Sequence, residues 1–306
     1  MRKACLEQVY QLAKNDERVV FVGSDLGAGT LSHFKEEMPD RFFMEGIAEA
    51  NAVGMACGMA HEGKIVYVNT IQSFLTRRCY EQVLLDACMH NLNVRFIGNG
   101  GGLVYAPLGP THWATEDLSI LRVIPNLTVL CPADAEEMNR LMPQTLDHQG
   151  PIFIRLAKGY DPIVTEEETF EIGRAYSYGE GEEVLLIGCG VMLGVMKQGA
   201  ELLAESGIKS GILHLPTIKP LDSEAIISRA RKARAVITLE ENTILGGLGS
   251  AVAEILAEAC LPNPLRMKRL GLADNFSENY GSQLEHFAHN GLTAENIVKE
   301  TSKLLK

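Results

Sequence analysis

Short β-branched runs alternate with helical patterns along most of this chain, and that alternation constrains the fold more than any other feature. The strand patterns are apolar without interruption, as is typical of strands buried on both faces of a parallel sheet. Regular alternation of such strands with helices predicts parallel sheets with helices packed on both faces. In the first half we predict strands at 19–23, 64–68, 94–98, 127–130 and 152–155, and helices at 32–38, 48–61, 72–91, 116–123 and 135–147.

The alternation lapses between residues 160 and 176, where the sequence is acidic and contains Pro and Gly. A chain of 306 residues is long enough for two cores of about 150 residues each. We therefore expect two doubly wound α/β domains, 1–160 and 177–306, joined by a linker at 161–176. In the second domain we predict strands at 184–188, 211–215, 235–240 and 265–270, and helices at 191–206, 223–232, 248–259 and 293–306.

The composition restricts the partners and the compartment. The formal net charge of −11 disfavours broad binding to nucleic acid or to an anionic membrane surface, but it leaves room for a small anionic ligand held by local cations. No apolar run approaches the roughly 20 residues of a membrane span, and the first 16 residues form an amphipathic pattern rather than a signal peptide. Seven scattered cysteines without a Cys-x-x-Cys pair predict reduced thiols, a cytoplasmic protein and no zinc site.

The helical pattern at 48–61 is apolar on every side and rich in Ala and Gly. We expect this helix to be buried all round, with neighbouring backbones close to it. One carboxylate, Glu49, lies at its start, with Asn51 beside it. Burying an unpaired carboxylate is costly. Glu49 therefore caps the helix in its first turn, faces a solvent channel, or meets a partner that needs a carboxylate.

Three further segments carry candidate chemistry, each with a structural alternative. Residues 25–30 follow the first strand, at the edge where open α/β sheets bind ligands, and the alternative is an ordinary turn capped by Asp25. Phe74, Arg77 and Tyr80 are spaced to frame a flat ligand, and the alternative is a core stripe. The long connection after the strand at 94–98 contains His112, a candidate acid or base whose alternative is a surface histidine.

Four segments together resemble a known family: GIAEANAVGMACGMA, SFLTRRCYEQVLLDA, GPTHWATEDLSILRVIPNLTVLCPAD and GPIFIRLAKG. They are similar to the C-terminal two-thirds of transketolases and deoxyxylulose-phosphate synthases, which use thiamine diphosphate, and more distantly to the β chains of 2-oxo-acid dehydrogenases. The resemblance covers the whole chain. It implies a pyrimidine-binding domain followed by the family's C-terminal domain, and a transketolase that moves a two-carbon ketol unit from a ketose to an aldose.

The resemblance also implies roles for the candidate residues. The carboxylate of Glu49 hydrogen-bonds a nitrogen of the cofactor's aminopyrimidine and favours the reactive tautomer of that ring, while the cofactor supplies the carbanion chemistry. His112 reaches the carbonyl or hydroxyl side of the substrate. Arg77 stands where transketolases have a further aromatic residue. The other cofactor contacts implied by the resemblance are Asp25, Leu26, Phe74 and Tyr80.

The resemblance also implies a second chain. The family binds the diphosphate and its divalent metal through a Gly-Asp-Gly…Asn motif in an N-terminal domain, and this sequence contains no Gly-Asp dipeptide. The chain is therefore similar to one subunit of a split transketolase. We expect a separate N-terminal subunit to bind the diphosphate and Mg²⁺, with two copies of each chain in the assembly.

The substrate end departs from the family pattern. Gly100 stands where transketolases have a phosphate-contacting His, and Leu108 stands where they have an Asp that reads a sugar hydroxyl. Lys158 replaces the phosphate-binding Arg, and Lys is a point charge rather than a bidentate fork. We hypothesise that the donor is a modified ketose, a branched sugar phosphate or a sulfonated sugar, whose anionic tail meets Lys158 together with Arg78 or Arg155. The expected substrate contacts are Thr30, Gly100, Leu108, His112, Arg155 and Lys158.

Two alternatives stay open. The nearest is a deoxyxylulose-phosphate-synthase-like or other 2-oxo-acid-decarboxylating component, which would turn over pyruvate with release of carbon dioxide. The other is a non-catalytic α/β binding or scaffold subunit, for which a change at Glu49 would leave turnover unaltered.

Overall fold

The computed structural model describes residues 1–24, 29–157, 161–278 and 280–306. Three predicted site residues, Asp25, Leu26 and Lys158, lie outside the described residues. The first part of the chain contains strands β1 (Val19–Gly23), β2 (Phe42–Met44), β3 (Ile65–Ile71), β4 (Val94–Asn99), β5 (Thr128–Leu130) and β6 (Ile152–Leu156). Its helices are α1 (Arg2–Asn15), α2 (Ser32–Glu37), α3 (Glu49–His61), α4 (Gln72–Arg77), α5 (Asp117–Arg122), α6 (Ala135–Leu141) and α7 (Gln144–Asp147).

The second part repeats the alternation. Its strands are β7 (Tyr176–Tyr178), β8 (Val184–Gly188), β9 (Ser210–His214), β10 (Thr217–Lys219), β11 (Ala235–Thr243) and β12 (Arg266–Leu272). Its helices are α8 (Met192–Glu205), α9 (Ser223–Ala230), α10 (Leu248–Glu258), α11 (Gln283–His289) and α12 (Ala294–Leu305). Short 3₁₀ turns at Pro39–Arg41 and Ala106–Leu108 and a π-helix at Gln82–Cys88 complete the described elements.

Two wound sheets organise these elements and confirm the predicted α/β class. The first sheet has the strand order β10-β5-β6-β4-β3-β1-β2, and the second has the order β12-β11-β8-β9-β7. Among the described strand pairs, β10 against β5 and β7 against β9 are antiparallel, and the rest are parallel. The central strands of both sheets are buried along their whole length, which explains why their sequences are continuously apolar.

One strand crosses between the two halves of the chain. β10 follows β9 in sequence, but it pairs with β5 of the first sheet, where Thr217 lies opposite Leu130. A second link forms nearby, where the backbone N–H of Gly190 donates to the carbonyl of Cys131 at 3.0 Å. The sequence does not predict β10, because a three-residue strand is too short to show a period.

Helix α3 is buried on one face only, and the prediction that it is buried all round is wrong. Gly58 is exposed, and nothing lies within 4 Å of the position that a Cβ at Gly54 or Gly58 would take. The apolar composition of α3 shows that all its faces could be buried, but it does not show that elements of this same chain pack against every face. The buried residues of the helix are Glu49, Ala52, Val53, Ala56, Cys57 and Ala60.

Two predicted helices are interrupted, and the starts of α6 and α11 carry side-chain caps. The pattern at 72–91 contains α4, a turn and then the π-helix, and the pattern at 135–147 is divided by Pro143, which has no N–H for the helix ladder. Asp134 caps α6 by accepting from the N–H groups of Glu136 and Glu137. Ser282 forms a reciprocal capping box with Glu285 at the start of α11.

The described ranges contain no helix that is both long enough and apolar enough to cross a lipid bilayer. The seven cysteines are free thiols, and all but Cys260 are buried. Burial raises the pKa of Cys5, Cys57 and Cys88 to about 12, so these thiols are held as neutral apolar groups.

A buried ion pair joins the second sheet to a helix of the first half. Nε2 of His214, on β9, lies 3.1 Å from both carboxylate oxygens of Glu137, on α6. The side chains are 0% and 2% exposed. Burial by itself lowers the pKa of His214, but the adjacent Glu137 carboxylate outweighs it and the pKa is raised.

We expect this pair to stabilise the chain more at pH 6 than at pH 9. A histidine whose pKa is raised by folding contributes fully below its unfolded value of about 6.5, and the contribution is lost as the pH rises through the folded value. The loss of unfolding free energy caused by His214→Gln should therefore be larger at pH 6, as urea unfolding followed by circular dichroism would show. His33→Gln, at an exposed position, is the control. A loss that grew towards pH 9 would contradict the expectation.

Candidate active site

Glu49 is a buried carboxylate with one cationic partner in contact. Its side chain is 5% exposed, although it lies in the first turn of α3. Both carboxylate oxygens accept from Nη1 of Arg78, at 3.1 and 3.2 Å. Burial, together with the charge of Glu49, raises the pKa of the Cys79 thiol to about 12. Among the described residues, Glu49 therefore meets a planar cation rather than capping its own helix.

Arg78 joins Glu49 to an aromatic cluster. The central carbon of its guanidinium lies 3.8 Å from the centroid of the Phe74 ring, a cation–π contact. The ring of Phe74 in turn meets the ring of His112 edge-on, with centroids 5.0 Å apart. The structure thus brings together three residues that the sequence predicts separately, Glu49, Phe74 and His112.

His112 is held by its own loop. Its Nδ1 lies 2.9 Å from the hydroxyl of Thr111, and the hydroxyl of Ser73 donates to the Thr111 carbonyl at 3.4 Å. The Nε2 atom is the ring nitrogen without a hydrogen bond to the described residues. Because the ring is half-buried and oriented through Nδ1, it can present Nε2 to a ligand as an acid or base.

Arg77 and Tyr80 point to neighbouring elements. The guanidinium of Arg77 donates to both carboxylate oxygens of Glu116, one of them at 2.9 Å, and to the carbonyl of Pro110 at 3.1 Å. The hydroxyl of Tyr80 donates to the carbonyl of Ile120 at 3.0 Å. These bonds tie α4 and the residues after it to α5 and to the His112 loop. The roles of Arg77 and Tyr80 towards a cofactor stay predictions.

Gly100 makes room for an aromatic side chain beside His112. Its φ is +79°, and a Cβ placed on it would lie 2.2 Å from the ring of Tyr105. The Tyr105 ring thus fills the space into which any side chain at this position would project. Tyr105 also meets His112 edge-on, with centroids 6.5 Å apart. Two other predicted substrate contacts, Thr30 and Leu108, are exposed.

Arg155 lies between the two halves of the chain. Its Nε donates to the carboxylate of Asp117 at 2.6 Å, and its Nη2 donates to the carbonyl of Glu241 at 2.7 Å. The side chain is 6% exposed. The structure therefore engages this guanidinium in a buried contact between β6, α5 and β11.

A cavity of about 650 Å³ lies beside the candidate site. Arg77 and Glu116 form part of its wall, and Trp113, Phe276 and His286 line it from the His112 loop and the second half of the chain. Its volume is in the range of small-molecule sites. Pro110 and Trp113, which flank His112 in its loop, also line the cavity.

Comparison with known proteins gives the family. Residues 1–160 match the family described as transketolase, pyrimidine binding domain, and residues 173–297 match the family described as transketolase, C-terminal domain. The chain belongs to the transketolase family. This confirms the resemblance seen in the sequence.

The transketolase relatives include split subunits and longer synthases. The chain is 37% identical over 305 residues to the 6-deoxy-6-sulfo-D-fructose transketolase subunit SqwH of Clostridium sp. (strain MSTE9), covering 98% of this chain and 92% of that one. It is 35% identical over 310 residues to one of the subunits of an apulose-4-phosphate transketolase from Phocaeicola vulgatus, covering 100% and 97%. It is 38% identical over 299 residues to 1-deoxy-D-xylulose-5-phosphate synthase 1 of Geobacter sulfurreducens, covering 96% and 46%.

A solved transketolase structure agrees with the fold. It is described as split gene transketolase, inactive beta4 tetramer, and it matches with a TM-score of 0.90 and 33% identity. The match covers 99% of this chain and 97% of that one. Both sheets therefore have counterparts in a split transketolase.

The sequence does not predict the positions of two residues of the candidate site, Arg78 and Tyr105. The sequence indicates Arg78 only as a cation for an anionic substrate tail, and it does not single out Tyr105. The pair of arginines at 77–78, three and four residues after Phe74, is the available signal for Arg78. For Tyr105 the available signal is Gly100, five residues earlier in the same loop, because a glycine leaves space for a neighbouring ring.

Proposed function

We propose that this chain is the C-terminal subunit of a split, thiamine-diphosphate-dependent transketolase that transfers a two-carbon ketol unit from a modified, anionic ketose to an aldose. The observation that carries the proposal is the buried Glu49 carboxylate, which is bonded to the same guanidinium that lies over the Phe74 ring, inside the segment that matches the pyrimidine-binding domain. Two relatives that match along nearly their full length are named as transketolase subunits, which supports the same reaction here.

The residues present fit the aminopyrimidine of thiamine diphosphate. Glu49 offers a buried acceptor for a ring nitrogen, and Phe74 offers an aromatic face beside it. A flat group with N–H donors fits this place, because the guanidinium of Arg78 already lies there. When bound, thiamine diphosphate supplies the carbanion chemistry of ketol transfer.

Three side chains of this subunit would then act on protons and orientation. Glu49 exchanges a proton with a nitrogen of the bound ring, and its burial strengthens that interaction. Phe74 orients the ring and excludes water from one side of it. His112, with Nδ1 held by Thr111, donates or accepts a proton through Nε2 at a substrate oxygen.

The rest of the site is proposed to come from another chain. We infer that an N-terminal partner holds the diphosphate and Mg²⁺, and that two copies of each chain assemble. The names of the relatives as subunits support a partner, and so does the description of the solved split transketolase as inactive when it is a beta4 tetramer. The uncovered face of α3 offers a surface for assembly.

The substrate class follows from the altered end of the site. Tyr105 fills the space beside Gly100, so the phosphate-contacting His of the family pattern has no counterpart there. Leu108 is exposed and cannot read a sugar hydroxyl as an Asp does. The named substrates of two relatives, a sulfonated ketose and a branched-sugar phosphate, are both modified anionic sugars. We therefore infer a donor of that chemistry here.

The test is ketol transfer by this chain co-purified with its N-terminal partner, in the presence of thiamine diphosphate and Mg²⁺. We expect kcat/KM for a sulfonated or branched ketose donor to exceed that for xylulose 5-phosphate by about tenfold or more. If xylulose 5-phosphate with ribose 5-phosphate is the best pair, the modified-sugar assignment is wrong. Pyruvate turnover with carbon dioxide release would favour a synthase-like component, the second candidate suggested by the Geobacter relative.

A further inference from the structure

We propose that Arg78 is a placeholder for the aminopyrimidine ring, and that it sets the affinity of the site for the cofactor. The inference rests on the proposed function, since it concerns the same Glu49 and Phe74. Its basis is that the Arg78 side chain contacts both Glu49 and Phe74. The guanidinium lies 3.8 Å from the Phe74 ring centroid and donates to both oxygens of Glu49.

The chemistry of the two groups is alike. A guanidinium is flat, delocalised, stacks on aromatic rings and carries N–H donors around its edge. An aminopyrimidine is also flat, also stacks, and presents an amino group and ring nitrogens at its edge. Glu49 and Phe74 therefore form a recognition pair for a flat nitrogen-rich group, and the guanidinium of Arg78 occupies it in this structure.

The two occupants exclude each other. Both oxygens of Glu49 are engaged by a single nitrogen, Nη1 of Arg78. The proposed role requires a carboxylate oxygen of Glu49 to face a ring nitrogen, and the Nη1 atom of Arg78 already engages both oxygens. Arg78 must therefore leave Glu49 before a ring nitrogen can take its place.

Arg78 is also placed to leave. Its side chain is 48% exposed, whereas Glu49 is 5% exposed. Arg155, by comparison, is 6% exposed and bonded on two sides. A half-exposed guanidinium can be hydrated fully when it moves away from Glu49. While Arg78 stays in contact with Glu49, the buried carboxylate is paired and its burial costs less free energy. The contact thus stabilises the unloaded state at the expense of cofactor affinity.

The test measures cofactor binding rather than activity. Thiamine diphosphate with Mg²⁺ is titrated calorimetrically into the assembled two-chain enzyme, carrying the natural sequence, Arg78→Ala, or Arg18→Ala as control. Arg18 also forms an exposed ion pair, with Asp16, outside the site. We expect Arg78→Ala to lower the Kd about three- to tenfold, the range implied by one cation–π contact and one partly exposed ion pair, and Arg18→Ala to leave it unchanged. The melting temperature of the unloaded Arg78→Ala assembly should fall while that of the loaded assembly stays the same.

The outcomes separate this inference from the proposed function. If the natural assembly binds the cofactor and Arg78→Ala binds it equally or more weakly, the placeholder role is wrong and the proposed function stands. If the natural assembly does not bind thiamine diphosphate at all, the proposed function itself fails. Arg78→Lys keeps the charge but loses the flat group, so it tests the idea if the alanine variant does not fold. Its Kd should lie between those of the natural and alanine forms, and a Kd at or above the natural value would overturn the inference.

Discussion

Replacing Glu49 by glutamine is expected to lower turnover of the assembled enzyme by about a hundred- to ten-thousand-fold, with the fold retained. Glutamine keeps the shape of the side chain and can still accept a hydrogen bond, but an amide cannot exchange a proton with a ring nitrogen. The loss of the contact with half-exposed Arg78 should cost no more than about 1 kcal/mol of unfolding free energy. Steady-state ketol-transfer kinetics and urea unfolding of the same preparations measure the two effects.

The matched control for this variant is Glu62→Gln, which makes the same chemical change at the exposed C-terminal end of α3. We expect its turnover and its unfolding free energy to equal those of the natural chain. If Glu49→Gln also kept full turnover, the subunit would be a scaffold rather than half of a catalytic site. If it lost turnover only because it unfolded, the urea midpoint would show this directly.

The strands of this protein are predictable where burial on both faces makes the sequence continuously apolar. The structure extends the run at 152–155 by one residue, and the run at 235–240 by three. β2, β7 and β10 are not predicted, because each has three residues and lies at the edge of its sheet, where the pattern is short and depends on the neighbouring strand. Secondary structure can thus be read from local chemistry, whereas pairing across the two halves cannot.

The sequence also indicates three of the residues that meet at the site, from three separate segments. Glu49, Phe74 and His112 come together because the elements that carry them end or begin at the carboxyl edge of the first sheet. Their mutual contacts are not predictable, since the break after α4 turns Arg77 towards Glu116 and Arg78 towards Glu49. The hydrophobic periodicity of the sequence does not show at which residue α4 ends.

The contacts of Arg155 are likewise not predictable from the sequence. The segment GPIFIRLAKG suggests a substrate contact at Arg155, which stays a prediction, and the structure shows that Arg155 forms a buried ion pair with a residue 38 positions away. An apolar run with one Arg indicates that the charge must be paired, but not which carboxylate pairs with it. This pair, with the bond from Arg155 to the Glu241 carbonyl, links the two halves of the chain through buried groups, and it leads to a large expected effect on stability.

Replacing Arg155 by methionine is expected to cost about 3–5 kcal/mol of unfolding free energy, because it leaves the carboxylate of Asp117 buried without its cation. Asp117 is fully buried, and its remaining partners are the side chain of Gln72 at 2.8 Å and the backbone N–H of Leu118 at 2.9 Å. Burial already raises the pKa of Asp117 against the pull of Arg155, so removing the cation raises it further. The bond from Arg155 to the Glu241 carbonyl is lost as well, which loosens the contact between the halves.

Two further variants separate charge from packing. Arg122→Met removes another arginine that reaches the second half of the chain, but Glu254 is exposed, so the loss should stay within about 1 kcal/mol. Combining Arg155→Met with Asp117→Asn removes both charges and should recover part of the loss seen for Arg155→Met alone, since no buried charge is then left unpaired. Urea unfolding at pH 8 gives all three values, and limited proteolysis of residues 161–175 reports whether the halves separate. If Arg155→Met lost no more stability than Arg122→Met, or if the double variant were no more stable than Arg155→Met, the unpaired Asp117 carboxylate would not be the source of the loss.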